Sequence, residues 1–294
     1  MKTLHQFIMK KDGLAMDAIG EGEPLLLMPY PHASTTQPMS ETRLAELLVS
    51  LGRQVVTFDP PRSFLSTRPM TGNMKEMLAC TLKLLETFQI DKPIDLIGHS
   101  MGGLCSLGFA LEYPYRVNKL ALVNSLSGFP AVLRWSIPHN WCWWKDREYW
   151  KSIWYGTLLF TGLGNLETHR RLDNLVEMAS FANKSLVETF SILPQDHLRP
   201  MPPRSLWARN VRKVNYLSRL SQVNSPTLVT AGRFDPQTPL PCAMELSNGI
   251  PNSQLVIFEE SGHAPFLEEP KKFTEIIGCF FKSNHGGIQN DTAE

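Results

Sequence analysis

The run Gly98-His99-Ser100-Met101-Gly102-Gly103 restricts the fold of this chain more than any other stretch. It follows an apolar run at residues 94–97 and opens a segment rich in small residues that extends to Glu112, just before Pro114. A G-x-S-x-G pattern alone is common; one set between a buried strand and a helix is a nucleophile elbow. The chain reverses so sharply there that side chains at 98 and 102 would strike neighbouring backbone, so both positions call for glycine. The serine between them takes strained backbone angles, and its hydroxyl stands above the strand end at a helix N-terminus. Free N–H groups and the helix dipole favour developing negative charge at such a point.

The rest of the chain repeats this strand-then-helix alternation. Apolar runs at 4–10 and 14–19, joined by the turn Lys11-Asp12-Gly13, read as two N-terminal strands. Further strands are expected at 25–28, 54–58, 94–97, 119–123, 227–230 and 255–258, and helices at 41–51, 74–88, 102–112, around 243–247 and at 271–281. Helices between successive strands predict an α/β fold: a mostly parallel sheet of eight strands with helices on both faces. The alternation breaks at residues 126–212, which hold all seven tryptophans and helical patterns such as 172–181 but no strand-like run. We expect a core formed by residues 1–125 and 213–282, a helical cap at 126–212 and a frayed tail at 283–294. With 294 residues, 43% of them hydrophobic, the chain is long enough to bury one large core carrying such an insertion.

Charge and cysteine usage narrow the partners. Lys and Arg number 29 against 28 Asp and Glu, a net charge of +1, with no basic stripe, so no nucleic-acid partner is expected. The cysteines Cys80, Cys105, Cys142, Cys242 and Cys279 are scattered without a C-x-x-C pair, which points to buried reduced thiols rather than a zinc site. Charges interrupt the N-terminal apolar residues, and no apolar stretch has membrane-spanning length, so the expectation is a cytoplasmic protein with no membrane partner. No H-E-x-x-H, P-loop or dinucleotide fingerprint occurs, so neither metal nor cofactor is expected. The sequence leaves the oligomeric state open.

A serine hydroxyl is a weak nucleophile and needs a base, itself held by a third group. His263, in Ser261-Gly262-His263-Ala264-Pro265-Phe266, lies just past the strand 255–258. Asp235, in Gly232-Arg233-Phe234-Asp235-Pro236, lies just past the strand 227–230. Ser100, Asp235 and His263 therefore all follow carboxyl ends of parallel strands, which share one edge of an open α/β sheet where ligands bind. Asp59 and Asp95 also sit near strand ends, but each reads more simply as a turn or strand-end residue. His99, beside the nucleophile, reads as a residue packed or bonded to backbone beneath the elbow.

These motifs resemble the α/β-hydrolase superfamily over residues 4–125 and 213–281, with the insertion where members carry a cap. The stretch Gly232–Pro236 with Gly262-His263-Ala264-Pro265-Phe266-Leu267-Glu268-Glu269-Pro270 is similar to the peptidase and esterase branch that includes proline iminopeptidases. The order Ser…Asp…His is that of the family. Some relatives place the acid after the preceding strand; here that place reads Leu122-Val123-Asn124-Ser125, without a carboxylate, which favours Asp235. The family's usual His-Gly after the third strand is replaced by Pro29-Tyr30-Pro31-His32. Since proline has no N–H, the resemblance assigns the oxyanion hole to the backbone N–H groups of Tyr30 and Met101. A second departure is Asp59-Pro60-Pro61-Arg62, where relatives carry glycines.

The resemblance implies a metal-free serine hydrolase, an esterase or amidase, cleaving a small, partly apolar substrate through an acyl-enzyme. His32, Trp135, Trp144, Trp154 and Phe266 are the expected substrate contacts. An alternative is an aminopeptidase of the proline iminopeptidase kind, which needs a cap carboxylate such as Glu167, Asp173 or Glu177 for the substrate amine. The elbow Gly-His-Ser-Met-Gly, where those relatives often carry Gly-Gly-Ser-Trp-Gly, favours the general ester or amide hydrolase. A further alternative is a non-catalytic ligand receptor on the same fold.

Overall fold

The computed structural model describes residues 5–30, 38–69, 71–136, 147–161, 163–186 and 210–283. The strands are β1 (His5–Lys11), β2 (Leu14–Ile19), β3 (Pro24–Met28), β4 (Gln54–Phe58), β5 (Ile94–His99), β6 (Val117–Val123), β7 (Thr227–Gly232) and β8 (Ser253–Phe258). The longer helices are α1 (Arg43–Ser50), α2 (Met74–Thr87), α3 (Met101–Glu112), α4 (Arg147–Thr161), α5 (Leu166–Ser180), α6 (Leu240–Gly249) and α7 (Pro270–Lys282). Helix α1 starts later than the residue 41 expected from periodicity. Thr42 is extended and accepts the Ala45 N–H through its side chain, so it caps the helix, and Met39–Glu41 form a separate 3-10 turn. A single helical turn, Pro265–Glu268, follows β8 and was not anticipated.

The strands form one eight-stranded sheet in the order β1-β2-β4-β3-β5-β6-β7-β8. The pairs β1–β2 and β2–β4 are antiparallel; all the others are parallel. The chain passes from β3 to β4 on one side and then crosses back to place β5 on the other side of β3. This reversal opens a crevice at the carboxyl ends of β3 and β5, the switch point where open α/β sheets bind ligands. Register fixes what lines it: Met28 pairs with Gly98, so Tyr30 and Ser100 leave adjacent strand ends.

The central strands are mostly apolar because both faces are covered. Side chains alternate between faces, so in β3 Leu25 and Leu27 join Leu44, Leu48, Phe273, Ile277 and Phe280 from α1 and α7. Leu26 and Met28 turn the other way, into the core with Leu84, Leu107 and Leu246 from α2, α3 and α6. The described part of the insertion is helical. α5 opens on a capping box of Asn165 and Thr168. Cys80, Cys105 and Cys242 are buried free thiols as expected, whereas Cys279 is exposed on the outer side of α7; Cys142 lies outside the described residues. Among the described residues no helix is long and apolar enough to cross a membrane.

Candidate active site

Ser100 sits between β5 and α3 with φ 53° and ψ −122°, a region that side-chain-bearing residues enter only under constraint. The constraint is visible on both sides. Its N–H donates to Val123 O (2.8 Å), and its carbonyl accepts the Ser125 hydroxyl (2.9 Å). A Cβ at position 98 would lie 2.4 Å from Gly102 O, and one at 102 would lie 2.6 Å from Met28 O. The glycines thus let the elbow close on itself and press against the end of β3. Met101 is the first residue of α3, so the helix supplies no acceptor for its N–H.

Asp235 and His263 leave the neighbouring strands β7 and β8, which are paired to their ends at Gly232 and Phe258. Both side chains are buried. Asp235 Oδ2 accepts from His263 Nδ1 (2.8 Å), Asn124 Nδ2 (2.8 Å) and the Thr238 hydroxyl (2.6 Å). Its Oδ1 accepts the backbone N–H groups of Gln237 (2.8 Å) and Thr238 (3.0 Å). Burial pushes the Asp235 carboxyl up, but the His263 charge and the donors from His263 and Thr238 outweigh it and hold the group well below the usual carboxylate range. An ionised carboxylate only accepts, so His263 carries a proton on Nδ1, and Nε2 is the ring nitrogen turned away from the carboxylate. Among the described residues no hydrogen bond joins the Ser100 hydroxyl to this ring. Such contacts are often loose without substrate.

His99 ties the loops together. Its Nε2–H donates to the His263 carbonyl (2.6 Å), so Nδ1 is unprotonated and accepts the Tyr30 hydroxyl. Burial, helped by the adjacent His263, pushes its pKa down to about 3, so the ring stays neutral. The expectation that His99 bonds backbone beneath the elbow holds. It joins the loop after β3 (Tyr30), the elbow and the loop after β8.

The expected substrate contacts sit in different surroundings. Phe266 is buried against His99, ring edge to face at 5.0 Å, packs on Phe273 at 5.8 Å, and lines a small cavity with Tyr30 and His99. Trp135 donates to Glu245 Oε2 (3.1 Å), the carboxylate that also pairs with Arg134 (2.7 Å). Trp154 is 61% exposed on α4. His32 and Trp144 lie outside the described residues. Of the cap carboxylates, Glu167 forms an exposed pair with Arg171 (2.8 Å), and the side chains of Asp173 and Glu177 lie outside the described set. Asp59 organises its own loop by accepting Met39 N–H (3.0 Å) and Leu65 N–H (3.1 Å). Asp95 pairs with Arg53 (2.7 Å) and Asn118 (2.7 Å) near the amino end of β5, away from the site. Asn124 and Thr238 were not anticipated. The one signal for Asn124 was its place at the end of β6, where it adopts φ 44°, a left-handed conformation that asparagine tolerates. Among the described residues no three His, Cys, Asp or Glu side chains group as a metal site.

Known proteins share this architecture. Residues 37–270 match the family model described as the alpha/beta hydrolase fold. A 2-hydroxy-6-oxononadienedioate/2-hydroxy-6-oxononatrienedioate hydrolase of Dechloromonas aromatica is 31% identical over 245 residues, covering 80% of this chain and 78% of the relative. The hydrolase of the same name from Cupriavidus pinatubonensis is 27% identical over 291 residues, covering 94% of each chain. Among solved structures, an alpha/beta fold family hydrolase from Bacillus anthracis superposes with a TM-score of 0.73 at 20% identity, covering 94% of this chain and 98% of the other. An esterase from Exiguobacterium antarcticum gives 0.67 at 22% identity, covering 95% and 100%. With the elbow, the switch-point crevice and these likenesses together, the chain belongs to the α/β-hydrolase fold family and is an enzyme, a hydrolase.

Proposed function

We propose that the chain hydrolyses a small substrate at a carbonyl carbon, with Ser100 as nucleophile, His263 as base and Asp235 as the group that orients and charges the histidine. The observation that carries this reading is the buried Asp235–His263 pair, in which one ionised carboxylate fixes the ring so that Nε2 can accept a proton. Ser100 Oγ attacks the carbonyl while His263 Nε2 takes its proton. The negative charge on the carbonyl oxygen rests on the backbone N–H groups of Tyr30 and Met101. His263 then gives the proton to the leaving group, and the C–X bond breaks to leave an acyl-enzyme. Water attacks that ester as its proton passes to His263 Nε2; His263 then returns the proton to Ser100 Oγ as the acyl C–O bond breaks, and the acid leaves.

The leaving group X is an alcohol or amine in the first reading, a carboxylic ester or amide hydrolase. A second reading follows from the relatives: their names specify an oxo-dienedioate substrate, and the same machinery would act at a ketone carbonyl with a carbon leaving group. The aminopeptidase reading has no described carboxylate in its favour, since Glu167 is already paired in solvent. The receptor reading gives way to the enzyme. The test is turnover of a panel holding a chromogenic ester, an anilide, a prolyl anilide and a 2-hydroxy-6-oxo-dienoate, with fluorophosphonate labelling of wild type and Ser100→Ala. The expected outcome is labelling at Ser100 and a loss of roughly 10⁴–10⁶-fold in kcat in the variant. A Ser100→Ala protein within tenfold of wild type refutes the assignment.

A further inference from the structure

The backbone that carries His263 is bonded on every side. The Gly262 carbonyl accepts Asn124 Nδ2 (3.0 Å), and the His263 carbonyl accepts His99 Nε2 (2.6 Å). The two N–H groups are bonded from a different direction. His263 N–H donates to Ser180 O (2.7 Å), the last residue of α5, and Gly262 N–H donates to Glu268 Oε2 (2.6 Å). The other oxygen of Glu268 accepts Ala182 N–H (2.7 Å) and Asn183 N–H (3.2 Å). One half-buried carboxylate therefore clasps the end of the inserted helix to the histidine loop. Gln237 Nε2 adds a bond to the Ser180 hydroxyl (2.6 Å), so the same segment also touches the loop that holds Asp235. The approach is close enough that a Cβ on Gly262 would lie 2.0 Å from Ser180 O.

We propose that Glu268 is a positioning residue: by binding residues 182–183 and Gly262 at once, it makes the chain after α5 part of the frame that aims His263 at Ser100. This rests on the reading of His263 as the base. The Glu268 carboxylate touches no reacting atom and acts through the backbone of Gly262. The chemistry requires an acceptor at both ends of one rigid planar group, which a carboxylate supplies. An amide offers an oxygen at one end only and turns an N–H₂ toward one set of donors. Alanine offers neither. The insertion then contributes to the frame of the site, because displacement of 180–183 moves the catalytic ring.

The test combines hydrogen exchange, read by mass spectrometry on peptides spanning 180–186 and 259–264, with steady-state kinetics on a chromogenic ester for wild type, Glu268→Gln and Glu268→Ala. Expected in Glu268→Ala is a joint rise in exchange of both peptides, with peptides from β5 and β6 unchanged. kcat should fall by about 10–100-fold, the effect of misplacing a catalytic group by an ångström or less, while KM stays within about threefold. Glu268→Gln should fall between wild type and Ala in both readouts, which also decides the matter if the Ala protein does not fold. Unchanged exchange in the two peptides, faster exchange with unchanged kcat, or a loss confined to KM would each overturn the proposal. The exchange result stands apart from the chemistry: wild type that is neither labelled at Ser100 nor active on any ester refutes the catalytic reading while the clasp is still read directly.

Discussion

Replacing Asp235 by Asn removes one charge and one acceptor, and the structure decides which way the amide turns. The carboxylate serves two different sets of donors. On the Oδ1 side are the backbone N–H groups of Gln237 and Thr238, which cannot change role. On the Oδ2 side are His263, the Thr238 hydroxyl and Asn124. The first two of these are adjustable: the hydroxyl can rotate to accept, and the ring can move its proton to Nε2 and accept at Nδ1. An amide oxygen kept toward His263 would orphan the buried Thr238 N–H and the half-buried Gln237 N–H, at about 1–3 kcal/mol for a fully buried group. The reverse orientation orphans only the Asn124 amide, at about 1–3 kcal/mol. The amide therefore turns its N–H₂ to His263 and inverts the tautomer. Nε2, now protonated, cannot take the Ser100 proton, and kcat should fall by about 10⁴-fold while KM changes little. Stability should fall by roughly 1–3 kcal/mol. Kinetics on a chromogenic ester measures the first, urea unfolding the second, and ¹⁵N chemical shifts of the His263 ring read the tautomer. Retention of the Nδ1 proton, or a kcat within tenfold of wild type, refutes the reasoning.

Two further outcomes follow from burial. Burial pushes Asp59 up from 3.8 to about 6 against its two backbone donors, so the native state binds a proton there that the unfolded chain has lost. Stability from this group therefore declines as pH rises from about 4 to 6 and is lowest above that. Asp59→Asn should gain about 3 kcal/mol relative to wild type between pH 3 and pH 8 in urea unfolding, and a pH-independent difference would show that no charge is buried. Trp154, 61% exposed, is an expected bystander: Trp154→Ala should leave kcat/KM within about twofold for every substrate of the panel, and a tenfold change for any one of them would bring it back to the site.

The local parts of this protein were legible in its sequence. The two glycines around Ser100, the apolar runs of the eight strands and the loop motifs holding Asp235 and His263 each encode themselves over a few residues. Chain order together with the rule of carboxyl ends then brought Ser100, Asp235 and His263 to one edge of the sheet. Side-chain direction was not legible. Phe266, a loop aromatic beside His263, is buried against the core while Trp154 is exposed, because helix and loop facing depends on what packs against them. Cys279 likewise fell on the outer face of a helix whose other side is full of phenylalanine.

What only the tertiary structure decided is the frame around the chemistry. Asn124 reaches Asp235 across 111 positions, His99 reaches the His263 carbonyl across 164, and Glu268 reaches Ala182 across 86. Asn124 and Glu268 also have local roles, in a left-handed turn and in the bond to Gly262, but no local rule names these distant partners. Periodicity and turn chemistry report on neighbours along the chain, whereas these bonds exist because the strand order β4-β3-β5-β6-β7-β8 sets distant loops side by side at one sheet edge. Their buried polar groups then had to be satisfied by whatever the neighbouring loop offered.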